Sequence, residues 1–294
     1  MVGSRLGRMS DSAARLDLAL QGLLLVCTVA ALTGYAVFGL QPQLLGSTPD
    51  LARTYALAIV GFPRLLILLG FLAVLASLYG IARRRWLPGI VGLYAVSLGA
   101  ELLGTSIGLP FAAYRYTDAL GPKWFGLVPL LIPLSWCTMT LASFAISRRV
   151  LGIGGRLTTV ATGAGLLLAW DLALDPAMSR LTPYWVWGDT GPYFGMPLLN
   201  LLGWGITGVV LHAILMALRA DEWIDRAAPR MIRAMVVIYA ANLALPVGMT
   251  IAAGIPIAAA VSLGAIGLVI VATRWRPLLA GRTVRRAGRP GLVQ

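Results

Sequence analysis

The chain has 294 residues, 59% of them hydrophobic and only 12% charged, with a mean hydropathy of +0.83. That composition excludes an ordinary soluble domain, and several apolar windows are long enough to span a bilayer. The net charge of +13 would suit nucleic acid, but the arginines cluster at the ends of apolar runs, as topology signals do, so no nucleic-acid partner is expected.

The expected fold is all-α: a polytopic bundle of about eight transmembrane helices forming a single integral-membrane domain over 1–294. A tail at 1–15, carrying Arg5, Arg8 and Arg15, precedes a first span at 16–40. That run is too long for the apolar region of a signal peptide and reads as an uncleaved span. A polar loop with Pro42 and Pro49 leads to span two at 55–82, with a kink expected at Pro63, and Arg83-Arg84-Arg85 stops it. Span three is 86–104 and contains Glu101. The stretch 105–133 is broken by Pro110, Pro122, Pro129 and Pro133 and reads as a long loop or re-entrant segment. Span four, 127–147, ends at Arg148-Arg149, and span five runs from 157 to 175. A second aromatic loop carries Tyr184-Trp185-Val-Trp187 and Tyr193-Phe194. Spans six, seven and eight are 196–218, 231–250 and 256–273, and a basic tail fills 275–294. Cys27 and Cys137 fall inside spans and read as packing residues.

With eight spans and both termini cytoplasmic, Lys and Arg accumulate on one side, as the positive-inside rule requires. At a rise of about 1.5 Å per residue, Glu101 lies about 24 Å from Arg85, Asp171 about 22 Å and Asp175 about 28 Å from Arg156, and Asn200 about 28 Å from Arg219. In a hydrocarbon core of about 30 Å all four reach the outer third. The expected location is therefore the cytoplasmic membrane, multi-pass, with a site toward the outer leaflet. Arg64 reaches similar depth, either as a counter-charge or as a side chain snorkelling to the interface. His212, the only histidine, lies toward the other face and reads as a core residue.

Residues at i and i+4 share a helical face, so Asp171 and Asp175 look the same way. Intramembrane carboxyls are functional candidates by default; the plain alternative makes Asp175 a helix terminator before Pro176. Nothing in the sequence supplies a Ser-His pair, a histidine cluster for a metal or a phosphate loop. Burial disfavours an ionised carboxyl, and two neighbouring acids tend to share a proton. Such a group can act as a general acid toward an electron-rich alkene. Aromatic faces would shelter the resulting tertiary cation, while a second acid and an amide hold the water that adds to it.

Two stretches resemble the carotenoid hydratase family, which comprises bacterial γ-carotene/lycopene hydratases and haloarchaeal bisanhydrobacterioruberin hydratases. The first is Glu101-Leu-Leu-Gly104 through Gly108-Leu-Pro110-Phe111-Ala-Ala-Tyr114-Arg-Tyr116, continuing to Pro133-Leu-Ser-Trp136. The second is Asp171-Leu-Ala-Leu-Asp175-Pro176, then Trp185-Val-Trp187 and Gly191-Pro-Tyr193-Phe194-Gly195-Met-Pro197-Leu-Leu-Asn200-Leu-Leu-Gly203-Trp204. The chain departs from the family pattern at Ala112, where glycine is usual, and at Phe194, where a second tyrosine often stands.

The resemblance implies a cofactor-free, metal-free hydratase that adds water across the terminal double bond of a linear (ψ) carotenoid end, giving a tertiary alcohol. It implies Glu101, Asp171, Asp175 and Asn200 as the polar, catalytic centre; the division of roles is read from the residues themselves, with Asp171 or Asp175 as the proton donor and Glu101 and Asn200 orienting water. Phe111, Tyr114, Tyr116, Trp136, Trp185, Trp187, Tyr193 and Trp204 would line the polyene slot; their alternative is an interfacial aromatic belt. The implied partners are a membrane-embedded carotenoid such as γ-carotene or lycopene, the lipid bilayer and other enzymes of the carotenoid pathway. Two other functions compete. An intramembrane prenyltransferase would use Asp171-x-x-x-Asp175 with Mg²⁺ and Asp221-Glu222-x-x-Asp225 as a second motif, but those clusters fall on opposite faces. A proton-coupled transporter would favour internal repeats and midplane acids, and neither is legible.

Overall fold

The computed structural model describes residues 11–46, 48–82 and 84–284. The apolar runs form helices because, in a bilayer, backbone polar groups must be satisfied within the segment. In order they are α1 (Asp11–Gly34, continued by a π turn at Tyr35–Gly39), α2 (Pro49–Ala82), α3 (Leu87–Ile107), α4 (Ile132–Ala145, continued by a π turn at Ile146–Val150), α5 (Arg156–Asp175, continued by a π turn at Pro176–Leu181), α6 (Leu198–Ala217), a short α7 (Ala220–Asp225), α8 (Pro229–Ala252) and α9 (Pro256–Val284). Proline stands in the first turn of α3, α4 and α8, where the missing N–H breaks no helical bond. Gly108, at φ +77°, closes α3 by donating its N–H to Gly104 O at 3.0 Å.

Among the described residues seven helices are long and apolar enough to cross a membrane. The chain is a multi-pass membrane protein, and these seven coincide with seven of the eight expected spans. The expected fourth span, 127–147, takes a different form. Its helix starts only at Ile132, and twelve of its fourteen residues are buried. Such a helix is walled by protein on every side, so it carries Ser135, Thr138, Thr140 and Ser143 among its apolar residues. Beyond the last expected span, α9 continues as helix to Val284, into the stretch read as the basic tail. Residues 1–10 and 285–294 of the two expected tails lie outside the described residues.

The segment between α3 and α4 contains no crossing. It holds β1 (Tyr114–Tyr116), a 3₁₀ turn at Asp118–Leu120, and the small hairpin of β2 (Lys123–Trp124) and β3 (Val128–Pro129). Strand β1 pairs antiparallel with β4 (Trp185–Trp187) from the second aromatic loop, in the register Tyr114↔Trp187, Arg115↔Val186 and Tyr116↔Trp185. Bonds from Gly188 N to Ala113 O (2.7 Å) and from Thr117 N to Tyr184 O (2.9 Å) extend the ladder at both ends. Arg64 fastens this assembly to α2, donating to Ala119 O at 2.9 Å and Asp118 O at 3.2 Å. It is a latch on the loop rather than a counter-charge to the carboxyls. Lys123 pairs with Asp118 at 2.7 Å and donates to Tyr116 O at 2.9 Å; the hydrogen bond and the charge of Lys123 hold the Asp118 carboxyl below its usual range.

At the opposite end of the bundle the arginines close the chain's turns. Arg148 pairs with Asp225, and Arg149 donates to the carbonyls of Ile224 (2.9 Å), Asp225 (2.6 Å) and Ala227 (3.1 Å). Those carbonyls sit at and just beyond the end of α7, where a helix leaves acceptors without intrahelical partners. Closer to α1, buried Asp17 accepts from the Ser77 hydroxyl at 2.8 Å and pins α1 to α2.

One loop position is at odds with its residue. Ala112 has φ +76°, a left-handed conformation that costs an L-residue roughly 1–2 kcal/mol. Ala112→Gly is expected to stabilise the loop by about 0.5–1 kcal/mol, once the roughly 0.5–1 kcal/mol entropic cost of glycine is subtracted. Thermal unfolding of the detergent-solubilised protein checks this, and an unchanged or lower midpoint contradicts it.

Candidate active site

The buried residues of α3 are Gly89, Leu93, Ser97, Glu101 and Gly104. They fall on one stripe at three- and four-residue spacing, so Glu101 is carried into the protein near the helix end. Strand alternation supplies its partners. Side chains two apart on a strand share a face, so Tyr114 and Tyr116 turn inward while Arg115 is exposed. Both tyrosine hydroxyls donate to Glu101 Oε2, Tyr116 at 2.8 Å. Trp136, from the first turns of α4, donates its indole N–H to Oε1 at 2.8 Å. Burial, and after it Glu101, pushes both phenols well above the ordinary value of 10.0. They therefore stay protonated at neutral pH and act as donors. Glu101 is surrounded by three donors and acts as an acceptor.

Asp171 and Asp175 face α6 from the last turns of α5. Asn200, in the first turn of α6, donates its amide to Asp175 Oδ2 and, at 3.3 Å, to Asp171 Oδ2. The same amide lies 3.0 Å from Met196 Sδ. Trp185 of β4 donates to Asp175 Oδ1 at 2.9 Å. Asp171 Oδ1 is buried without a partner. All four polar side chains are at most 4% exposed. Pro176 does not end the helix at Asp175; the chain continues as a π turn to Leu181, which keeps Asp175 inside the protein.

Glu101, Asp175 and Asn200 line one cavity of about 470 Å³, its mouth included. Its walls are Phe111, Tyr114, Tyr116, Trp136, Trp185, Trp187 and Trp204, together with Ile132, Ser135, Trp170 and Leu174. Trp136 and Trp204 stack with centroids 4.0 Å apart, and Trp170 meets Trp204 edge-on at 5.8 Å. Two of the twelve expected site residues stand outside the lining. Asp171 is fully buried behind it, and Tyr193 spends its hydroxyl on Leu172 O at 2.7 Å, steadying the turn between the two aspartates. Conversely, Trp170 and Leu174 do line the cavity. They are one residue before each aspartate and four apart, so the spacing that singled out the acids also carried this second pair.

The geometry places the other acidic cluster far away. Asp225 pairs with Arg148, which is twelve residues, or about 18 Å, along the helix axis from Trp136. His212 is also remote: its Nδ1 lies 2.7 Å from Gly208 O and its Nε2 2.9 Å from the Ser143 hydroxyl. Among the described residues no group of three or more His, Cys, Asp or Glu side chains is placed to hold a metal ion.

A family model described as carotenoid biosynthesis protein matches residues 62–270. The chain belongs to this family. Every residue of the carotenoid biosynthesis protein site just described falls inside the matched region. The chain is also similar to a bisanhydrobacterioruberin hydratase from Haloarcula japonica, 31% identical over 142 residues. The match covers 47% of this chain and 47% of that relative, so the chain spans about half the length of the curated protein. No solved structure matches.

Asn200 gives one amide nitrogen to both aspartates. Asn200→Asp replaces that donor with a third acidic group in a buried site. Losing a buried donor and leaving its acceptors unsatisfied costs about 1–3 kcal/mol, so the unfolding midpoint in detergent is expected to fall clearly, at neutral pH, against wild type. A variant as stable as wild type would show that the amide does not hold the pair.

Proposed function

We propose that the protein is a carotenoid hydratase, a hydro-lyase of the 1′,2′ type, that adds water across the terminal double bond of a linear carotenoid end. The observation that carries this reading is the joint exposure of Asp175 and Glu101 to one aromatic-walled cavity, in a chain of this family. The hydratase name of the similar haloarchaeal protein supports the same class of reaction.

In this reading Asp175 is the acid, because it faces the cavity and Asp171 stands behind it. Two neighbouring carboxyls in an apolar interior are best accommodated with a proton held between them. Asp175 delivers its proton to the less substituted alkene carbon, and the electron pair of the double bond forms the new C–H bond. The cation left on the tertiary carbon is held against the faces of Trp136, Trp187 and Trp204, where cation–π attraction is worth about 2 kcal/mol in a desolvated site. Glu101 accepts a proton from a water as its oxygen bonds the cation. That proton returns through water to the aspartate pair, so the sum is alkene plus water to tertiary alcohol. The route uses no cofactor and no metal. Asn200 fixes the aspartates, and Tyr114, Tyr116 and Trp136 fix Glu101.

The topology belongs to the same proposal. α4 is an eighth crossing shielded by its neighbours, both termini are cytoplasmic, and the whole chain forms one domain. The site then lies toward the outer leaflet of the cytoplasmic membrane, away from the arginine-rich end. γ-Carotene or lycopene, taken from the bilayer, is the substrate of choice.

Expression in a host that accumulates lycopene or γ-carotene, with mass spectrometry of the pigments, tests the function. Wild type is expected to add the mass of water. Loss of a general acid typically removes 10²–10⁴-fold of rate, so Asp175→Asn should abolish the product, with Glu101→Gln similarly impaired and Asp171→Asn less so. No hydrated pigment from a folded wild-type protein with either precursor would overturn the function. Full activity in Asp175→Asn would remove that residue from the acid role.

A further inference from the structure

The active-site cavity is not isolated. A second cavity, of about 640 Å³, shares Ile132, Ser135, Trp170, Leu174 and Trp185 with it. A third, of about 510 Å³, shares Pro63, Leu66, Met178, Tyr184 and Leu245 with the second. The three lie in series, each sharing wall residues with the next, from the carboxyls, past Trp170 and Trp185, to the space between α1, α2 and α8. Small residues create the last part: Ala30, Ala31 and Gly34 of α1 face Ala58 of α2.

The lining offers a passing chain almost no polar group. The Thr28 hydroxyl is spent on Leu24 O (2.8 Å), the Tyr184 hydroxyl on Ile59 O (2.7 Å) and the Asn242 amide on Ile238 O (2.8 Å). The Ser135 hydroxyl stands at the junction of the first two cavities, and the Tyr35 hydroxyl shares the third with that of Tyr55. Tyr55, in the third cavity, has its hydroxyl shielded from solvent with no partner. A single pocket suits a drug-sized ligand, whereas a C40 chain is about as long as the bilayer core is thick, roughly 30 Å. The first cavity therefore holds a chain end, and the body must go elsewhere.

We propose that the three cavities are one binding path for the body of a long isoprenoid chain, with its linear reacting end between Asp175 and Glu101 and its remote part beside Tyr55. This rests on the hydratase reading. Lipid solvates a polyene as well as an apolar wall does, so the path adds little to affinity. What it contributes is orientation: a chain threaded through it can present only its terminus to the acid. The substrate class is accordingly a long chain with at least one linear end, and selectivity for its remote part resides at residues far from the carboxyls.

The test blocks the path away from the site. Ala58→Trp fills the third cavity and Ala241→Phe the second, while Ala56→Trp places the same bulk on the exposed side of α2. Each full-length variant is expressed in the lycopene-accumulating host and its folded yield taken from thermal unfolding. Hydrated lycopene is expected to fall at least tenfold in Ala58→Trp and Ala241→Phe, and to stay at the wild-type level in Ala56→Trp. Lycopene carried through purification by Asp175→Asn, which binds without turnover, should disappear when Ala58→Trp is added. Wild-type hydration with undiminished hydration in folded Ala58→Trp would overturn the path and leave the hydratase standing. Equal loss in Ala56→Trp would do the same, by showing that bulk on α2 acts through the fold. No hydration by wild type would overturn the hydratase reading itself. Should Ala241→Phe fail to fold, Ala58→Trp alone decides.

Discussion

The three buried carboxyls of the cavity region, Glu101, Asp171 and Asp175, are the constraint on which the rest depends. An unpaired polar group in such surroundings costs several kcal/mol unless hydrogen bonds compensate. The protein meets that cost with side-chain donors drawn from elements far apart in sequence. Glu101 draws on β1 and α4, while Asp175 draws on β4 and α6. The donors are almost all aromatic or amide groups, which bring no full positive charge. A lysine or arginine in their place would pair with the acids as ions and prevent the proton transfer that the proposed reaction requires.

That requirement explains the short sheet over the bundle. Two three-residue strands would have little stability alone. Here four of their six side chains, Tyr114, Tyr116, Trp185 and Trp187, line the cavity, and three of these bond to a carboxyl. The sheet is held from below by acids and from the side by Arg64 of α2 and by Tyr184, which donates to Ile59 O of α2. The cavity roof and the carboxyl ligands are thus built from the same residues. At the far end the arginines act differently, satisfying helix-end carbonyls and Asp225 where water is near.

The aromatic walls pack the bundle, and in the proposed reaction they would also face the cation. The stacked Trp136–Trp204 pair and edge-on Trp170 fill the space between α4, α5 and α6, contacts worth about 0.5–1.5 kcal/mol each. They also leave a cavity whose surfaces suit a short-lived cation. Beyond Trp170 the walls change character. Alanine, glycine and leucine replace tryptophan, and the space widens into the apolar path between α1, α2 and α8.

The sequence by itself determined the class, seven of the crossings and the motif pair, because apolar length and i, i+4 spacing are local properties. It also brought ten of the twelve expected site residues into one cavity. It could not order Asp171 behind Asp175, since both share a helical face and only the approach of α6 and β4 decides which is covered. The Tyr-x-Tyr and Trp-x-Trp patterns carried a strand period, but pairing between positions 71 residues apart is not a local property. The interior character of α4 was hidden because a helix surrounded by protein needs no apolar face toward lipid. Arg64 was legible by depth alone; its partners, the Asp118 and Ala119 carbonyls, exist only once the loop has folded over α2. Depth and spacing thus come from the chain, while burial order and hydrogen-bond partners come from packing between distant segments.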